Sequence, residues 1–128
     1  MPSRPVRSRD ELGFWEGADR HQLVIQRCAD CGARRHPPVP MCGACGSVSS
    51  DYEASSGRGR VLSWMLSHHP NRPEDPPTVV ILVELEEGVR VVSNLVDPPG
   101  PGPYEDLPVE VDFADQDDAV IPMFRASP

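Results

Sequence analysis

Apolar residues in this chain fall into short runs, and the runs have the rhythm of strands. Residues 78–85 (TVVILVEL) are almost continuously apolar, and residues 89–96 (VRVVSNLV) follow after the E-E-G at 86–88. Two β-prone runs joined by so tight a turn predict a hairpin. Residues 57–69 (GRGRVLSWMLSHH) read as a strand after a Gly-rich entry. Residues 109–113 (VEVDF) and 120–124 (VIPMF) read as two more, on either side of an acidic turn at residues 115–118. The long connection, DPPGPGPYEDLP at 97–108, separates the third strand from the fourth. Five strands with that one long connection predict an OB-fold, a five-stranded partly open Greek-key barrel. A small sandwich is the competing architecture.

The first part of the chain has a different texture. DELGFWEGADRHQ at 10–22 predicts a short helix capped by Asp10, with Leu12, Phe14 and Trp15 as its apolar side and Gly17 weakening its end. Phe14 and Trp15 are adjacent, so one helix face cannot turn both rings into one small domain. Either one ring docks on something outside, or both cover the next module. QLVIQ at 22–26 then reads as a short strand.

All the cysteines, Cys28, Cys31, Cys42 and Cys45, lie in one short window as C-x2-C, ten residues, C-x2-C. Two such knuckles complete a closed tetrahedral site, and Zn²⁺ is the expected ion. Its role is structural, since four protein ligands leave no open position. Gly32, Gly43 and Gly46 sit in or just after the knuckles, where a tight backbone turn benefits from having no Cβ. Two disulfides, or a redox C-x2-C, are the other readings. Disulfides are disfavoured by the missing secretory signal, and a redox pair needs no second copy nearby. Between the knuckles, the Pro-rich ARRHPPVPM cannot lie inside a central strand. It predicts a rubredoxin-type or ribbon loop from which Arg34, Arg35 and His36 protrude, with His36 a surface residue rather than a ligand.

Length and charge narrow the function. At 128 residues and 14.0 kDa, the chain has room for one ordinary domain or two very small ones. The net charge of −8 argues against a partner made of phosphates. The imbalance is uneven: residues 1–60 carry a net +2 and residues 61–128 a net −10, and every basic residue is Arg. No apolar stretch approaches the roughly 20 residues of a membrane helix, and MPSRPVRSRDELG lacks an apolar signal core. A soluble, cytoplasmic protein is expected. The expected division is tail and helix over 1–21, zinc ribbon over 22–55 and OB-fold over 56–128.

The ordered set of FWEG at 14–17, the paired knuckles, SGRGRVLSW at 56–64, VELEEGVRVVSNLVD at 83–97 and IPMF at 121–124 resembles one family. It is the acyl-CoA-associated zinc-ribbon/OB-fold family, and the resemblance spans nearly the whole chain. The three prolines between the knuckles depart from its usual ribbon tip. The resemblance implies a non-catalytic partner of thiolase-fold or hydratase-type enzymes acting on acyl-CoA esters. Among them are partners of the lipid-transfer-protein-type, thiolase-fold aldolase of steroid side-chain degradation. It implies a hetero-oligomer with acyl-CoA at the shared interface. The adjacent rings of Phe14 and Trp15 are more apolar area than so small a ribbon can hide, so they are the expected docking surface, with Arg34 or Arg35 at its polar rim. An accessory role to a hydratase or another thiolase is the near alternative. SRPVRSR at 3–9 would suit a linker from a hydratase fusion.

No catalytic constellation stands out: there is no phosphate-binding glycine loop, no nucleophile elbow and no spare Cys. His68 and His69 are the candidates by residue type for acid–base work but have only Glu74 and Asp75 nearby as orienters, and the plainer reading is that they end a strand. OB-folds bind ligands on the face of the second and third strands and at the first loop. His68, His69 and Asn94 are therefore expected to line a substrate passage shared with the partner. A single-stranded nucleic-acid binder would need a basic groove with exposed aromatics, against a net −10 over residues 61–128 and 5% aromatic residues in the chain. A stand-alone enzyme using His68 or His69 is the remaining class.

Overall fold

A computed structural model describes residues 9–116 and 119–128. The proposed linker residues 3–8, and Asp117 and Asp118 of the acidic turn, lie outside the described residues. A 3-10 turn, Arg9–Glu11, leads into α1, Leu12–Asp19. The strands are β1 Val24–Cys28, β2 Arg34–Arg35, β3 Ser50–Ala54, β4 Arg58–Ser67, β5 Thr78–Leu85, β6 Arg90–Leu95, β7 Pro108–Gln116 and β8 Ala119–Ala126. β1 to β3 form an antiparallel sheet of order β2-β1-β3, and the rest form a closed barrel of order β4-β5-β6-β8-β7. That is the expected OB-fold, so the sandwich is excluded. No helix among the described residues is long and apolar enough to cross a membrane.

Strand β5 organises the barrel. Its residues alternate strictly, with Val79, Ile81, Val83 and Leu85 buried inside and Thr78, Val80, Leu82 and Glu84 on the outer face. It pairs with β4 from Gly59↔Leu85 to Ser67↔Thr78 and with β6 from Val79↔Leu95 to Glu84↔Arg90. A bulge between Val61 and Ser63 gives β4 the extra bend a small barrel requires. Closure comes from β4 meeting β7 and from a short parallel contact of β6 with β8, where the Val96 N–H donates to the Phe124 carbonyl at 2.8 Å. The long connection is no slack loop. Tyr104 is buried from it, edge-on to Trp64 with ring centroids 4.8 Å apart, and its hydroxyl donates to the Gly100 carbonyl.

Several local expectations are corrected. Asp10 does not cap α1: it lies within the 3-10 turn, and Glu11 occupies the cap position without a side-chain hydrogen bond. The Asp10 carbonyl instead accepts from the Tyr52 hydroxyl at 3.2 Å, tying the turn to β3. α1 lies close on the ribbon because residue 13 is Gly: a Cβ there would sit 2.3 Å from the Tyr52 ring. β2 and β3 were not expected as strands. Nor do Arg35 and His36 protrude. Both are half-buried, and the His36 ring lies 5.2 Å from that of Phe14.

Phe124 is 1% exposed, and its backbone makes the β6–β8 contact that closes the barrel. Truncating a buried aromatic ring costs about 3–5 kcal/mol. Denaturant unfolding of Phe124→Ala should show a loss of that order, against less than about 0.5 kcal/mol for the exposed Glu105→Ala.

Candidate functional site

The cysteines converge on one point. Their sulfurs all lie within 4.8 Å of one another, with Cys28–Cys45 at 3.6 Å and Cys31–Cys42 at 3.7 Å. A tetrahedron of thiolates about 2.3 Å from zinc has an edge of about 3.8 Å, so the donor set fits that ion. The knuckles are built alike. The Gly32 N–H donates to the Cys28 carbonyl at 3.0 Å, and the Gly46 N–H to that of Cys42 at 2.9 Å. Both glycines have positive φ, 79° and 78°, which the closing turn demands. Gly43 has no such need. The Cys31 N–H approaches the Cys28 sulfur at 3.5 Å, and the Ala44 N–H approaches that of Cys42 at 3.4 Å. Amides of Cys31 and then Asp30 hold the Cys28 thiol down at about 6, so a thiolate is available to a metal near neutral pH.

Gln26 had no place in the sequence reading, yet it anchors the inter-knuckle loop. Its buried amide donates to the Val39 carbonyl at 2.8 Å and to the Ser50 hydroxyl at 3.0 Å, and accepts the Val39 N–H at 2.8 Å. Arg35 braces the same loop through the Val39 carbonyl at 3.1 Å, with its Nε and Nη1 buried and unpartnered. Arg34 is bonded to Glu53, which also takes Arg27 at 3.3 Å. Arg34 is therefore held by a carboxylate, whereas Arg35 is held only by a backbone carbonyl.

Phe14 and Trp15 stack edge-to-face, their centroids 5.0 Å apart. With His36 they form one wall of a groove of about 190 Å³ whose other wall includes Val92, Asn94 and Pro122 of the barrel. Burial lowers the His36 imidazole below its ordinary value, partly opposed by Glu11. Asn94 also borders a second depression of about 300 Å³ with Ser67, His68, His69 and Thr78. The structure thus brings together His68, His69 and Asn94, and separately Phe14, Trp15 and His36, with Asn94 between the groups. His69 Nδ1 accepts the Asn71 N–H at 3.1 Å, and Asp75 faces Arg72 at 3.8 Å rather than an imidazole. No acid–base pair is assembled there among the described residues.

The description "ChsH2, rubredoxin-like zinc ribbon domain" matches residues 15–48, and "ChsH2, C-terminal OB-fold domain" matches residues 52–114. The fold superposes with a TM-score of 0.87 on a chain of a solved "Ltp2-ChsH2(DUF35) aldolase", at 42% identity over 96% of this chain and 98% of that one. The chain belongs to the ChsH2 (DUF35) zinc-ribbon/OB-fold family. It is 43% identical over 95% of its length to a "Probable enoyl-CoA hydratase alpha subunit" of Thermomonospora curvata. It is 50% identical over 72% of its length to the "3-oxo-4,17-pregnadiene-20-carboxyl-CoA hydratase alpha subunit" of Mycobacterium tuberculosis. It spans only 39% and 30% of those two relatives, so it corresponds to one part of each. In this family's ribbon, Cys28, Cys31, Cys42 and Cys45 form the structural zinc site.

Metal analysis should return about one zinc per chain. Chelation or Cys42→Ser should abolish amide-exchange protection in β1 to β3 while barrel amides stay protected. His36 gives a separate expectation. Its folded value lies below its unfolded value near 6.5, so on acidification the unfolded chain takes up the proton first. Its contribution is steady above about pH 6.5 and turns destabilising below it. Between pH 7 and 5, wild type should lose more unfolding free energy than His36→Gln, a difference that zinc release common to both does not create.

Proposed function

We propose that this chain is a non-catalytic scaffold subunit that binds and activates a thiolase-fold enzyme of the lipid-transfer-protein type. The assembly is a hetero-oligomer in the cytoplasm that cleaves a steroid side-chain acyl-CoA. The match over nearly the full length of both chains to one chain of an Ltp2-ChsH2(DUF35) aldolase carries the reading. Its chemistry also fits the hydratase relatives. Hydration of an enoyl thioester makes a 3-hydroxy thioester, which is what a retro-aldol step consumes. In that step a base on the partner takes the hydroxyl proton and the Cα–Cβ bond breaks. The electron pair passes to the thioester enolate, whose protonation gives a shorter acyl-CoA beside a ketone.

The division of labour follows from this chain's side chains. Arg27, Arg34, Arg58, Arg60 and Arg125 are each paired with a carboxylate on the chain itself. That pairing makes these five arginines poor seats for the phosphates of CoA, and we place the phosphate-binding cations on the enzyme. Phe14 and Trp15, with Arg34 and Arg35 at the rim, form part of the docking surface. His68, His69 and Asn94 line the passage where substrate meets both chains. The scaffold acts by ordering the enzyme's loops and excluding water from the thioester.

A second reading has the hydratase alpha-subunit names behind it: the same module serves a hydratase, either in fusion or as a separate chain. Both readings are tested by mixing this chain with purified thiolase-fold enzyme or with hydratase and following turnover of steroid and straight-chain acyl-CoA esters. The expected result is no turnover by this chain alone, and aldolase turnover at least about tenfold higher with it than without it. Equal aldolase activity without this chain overturns the scaffold reading. Stimulation of hydratase alone replaces it with the second.

A further inference from the structure

A strand as continuously apolar as TVVILVEL belongs where both faces are covered. In this barrel only one face of β5 is covered. Val79, Ile81, Val83 and Leu85 fill the core, while Val80 and Leu82 point outward and stay half-exposed. Register continues the outer face sideways, since residues directly opposite on paired strands share a face. Met65 and Asn94 flank Val80, and Ser63 and Val92 flank Leu82. Met65 is 59% exposed and Val92 is 71% exposed. Together they line a shallow depression of about 300 Å³ with no charged side chain in its lining. This is the position at which an OB-fold meets its ligand. Nucleic-acid-binding OB-folds place arginines and stacking rings there; here the exposed positions are Met and Val.

We infer that the outer face of β4–β5–β6, centred on Val80, Leu82 and Val92, is the main docking surface for the acyl-CoA enzyme. The inference rests on the scaffold reading above and adds to it the face that binds. An aliphatic, uncharged and open face suits the dry centre of a protein interface, not a phosphate-bearing ligand. A second copy of this chain is the poorer occupant, because each copy brings a net −8, with −10 of charge on residues 61–128 against +2 on the rest. Val92 and Asn94 also border the groove holding Phe14 and Trp15, so the face continues without a break onto the helix. At its other end Val80 and Asn94 border the depression that holds His68 and His69. An enzyme seated on this face at Val80 would thus stand beside that polar depression.

The probe is the Ltp2 subunit of the matched aldolase, immobilised and titrated with wild type, Val92→Asp, Val92→Thr and Asp112→Ala. Asp112 lies on β7, on the far side of the barrel ring from β5. Circular dichroism and metal content establish that each variant is folded. Val92→Asp should weaken binding about tenfold or more and Val92→Thr less, with Asp112→Ala within about twofold of wild type. Wild-type binding that Val92→Asp leaves unchanged overturns this inference and spares the scaffold reading. Absence of wild-type binding overturns both. Sedimentation showing a wild-type dimer that Val92→Asp separates assigns the face to a second copy and overturns the choice of partner.

Discussion

The ribbon stands or falls with its metal. Strands of five, two and five residues enclose almost no apolar volume, and the part of the chain from Cys28 to Ser49 buries little more than Cys28, Pro38 and Cys42. Four thiolates on one ion replace the missing core, and everything near them uses that fixed point. Gln26 can satisfy the loop at Val39 only if the knuckles hold β1 and the loop in place. α1 in turn lies on β3 through Tyr52, so the metal indirectly sets where Phe14 and Trp15 stand against the barrel.

The barrel solves its own problem differently, with one strand as the hub. β5 is paired along its length on both sides and contributes half its residues to the core. Barrel closure needs a bulge on β4 and a brief parallel contact at Phe124, and neither depends on zinc. The two modules share one apolar core, which takes Leu23 and Ile25 from the ribbon side together with Val91 and Phe124 of the barrel, and α1 packs on β1 of one and β8 of the other. Such a joint can hold a helix in register against two surfaces at once.

What was legible in the sequence follows from which forces act locally. The hairpin over residues 78–96 was readable almost to the residue, because an apolar run and a tight turn specify it without help. The zinc ligands were readable from spacing, since ligand geometry restricts the chain between them. β3 (SDYEA) was not readable. It is polar, and it is a strand only because β1 supplies its partner and Arg27 pairs with Asp51 and Glu53 across the sheet. The prolines after Arg34 and Arg35 suggest a protruding loop, yet two residues suffice to pair with Gln26 and Arg27. A complete set of four cysteines gives His36 no role as a ligand. Its burial depends on α1 folding back over the loop, a contact between residues far apart in the chain. Asn94, on the third barrel strand, borders the depression of His68 and His69, which follow the first, but the groove it shares with Trp15 had no local signal.

The charge pattern completes the account. An exposed row of Met65, Val80, Leu82 and Val92 on a monomer invites self-association. This chain places ion pairs around it: Arg60 joins Glu84 and Asp106 beside one end, and Arg58 joins Glu86. Exposed pairs of this kind contribute little stability, on the order of 0–1 kcal/mol each. Their effect is on what can approach. They leave the barrel's remaining carboxylates uncompensated, so like chains repel at long range while a surface of opposite charge is drawn in. An apolar centre then decides whether the encounter persists. Arg27, Arg34, Arg58, Arg60 and Arg125 each face one of the chain's own acids, which lowers their pull on phosphates.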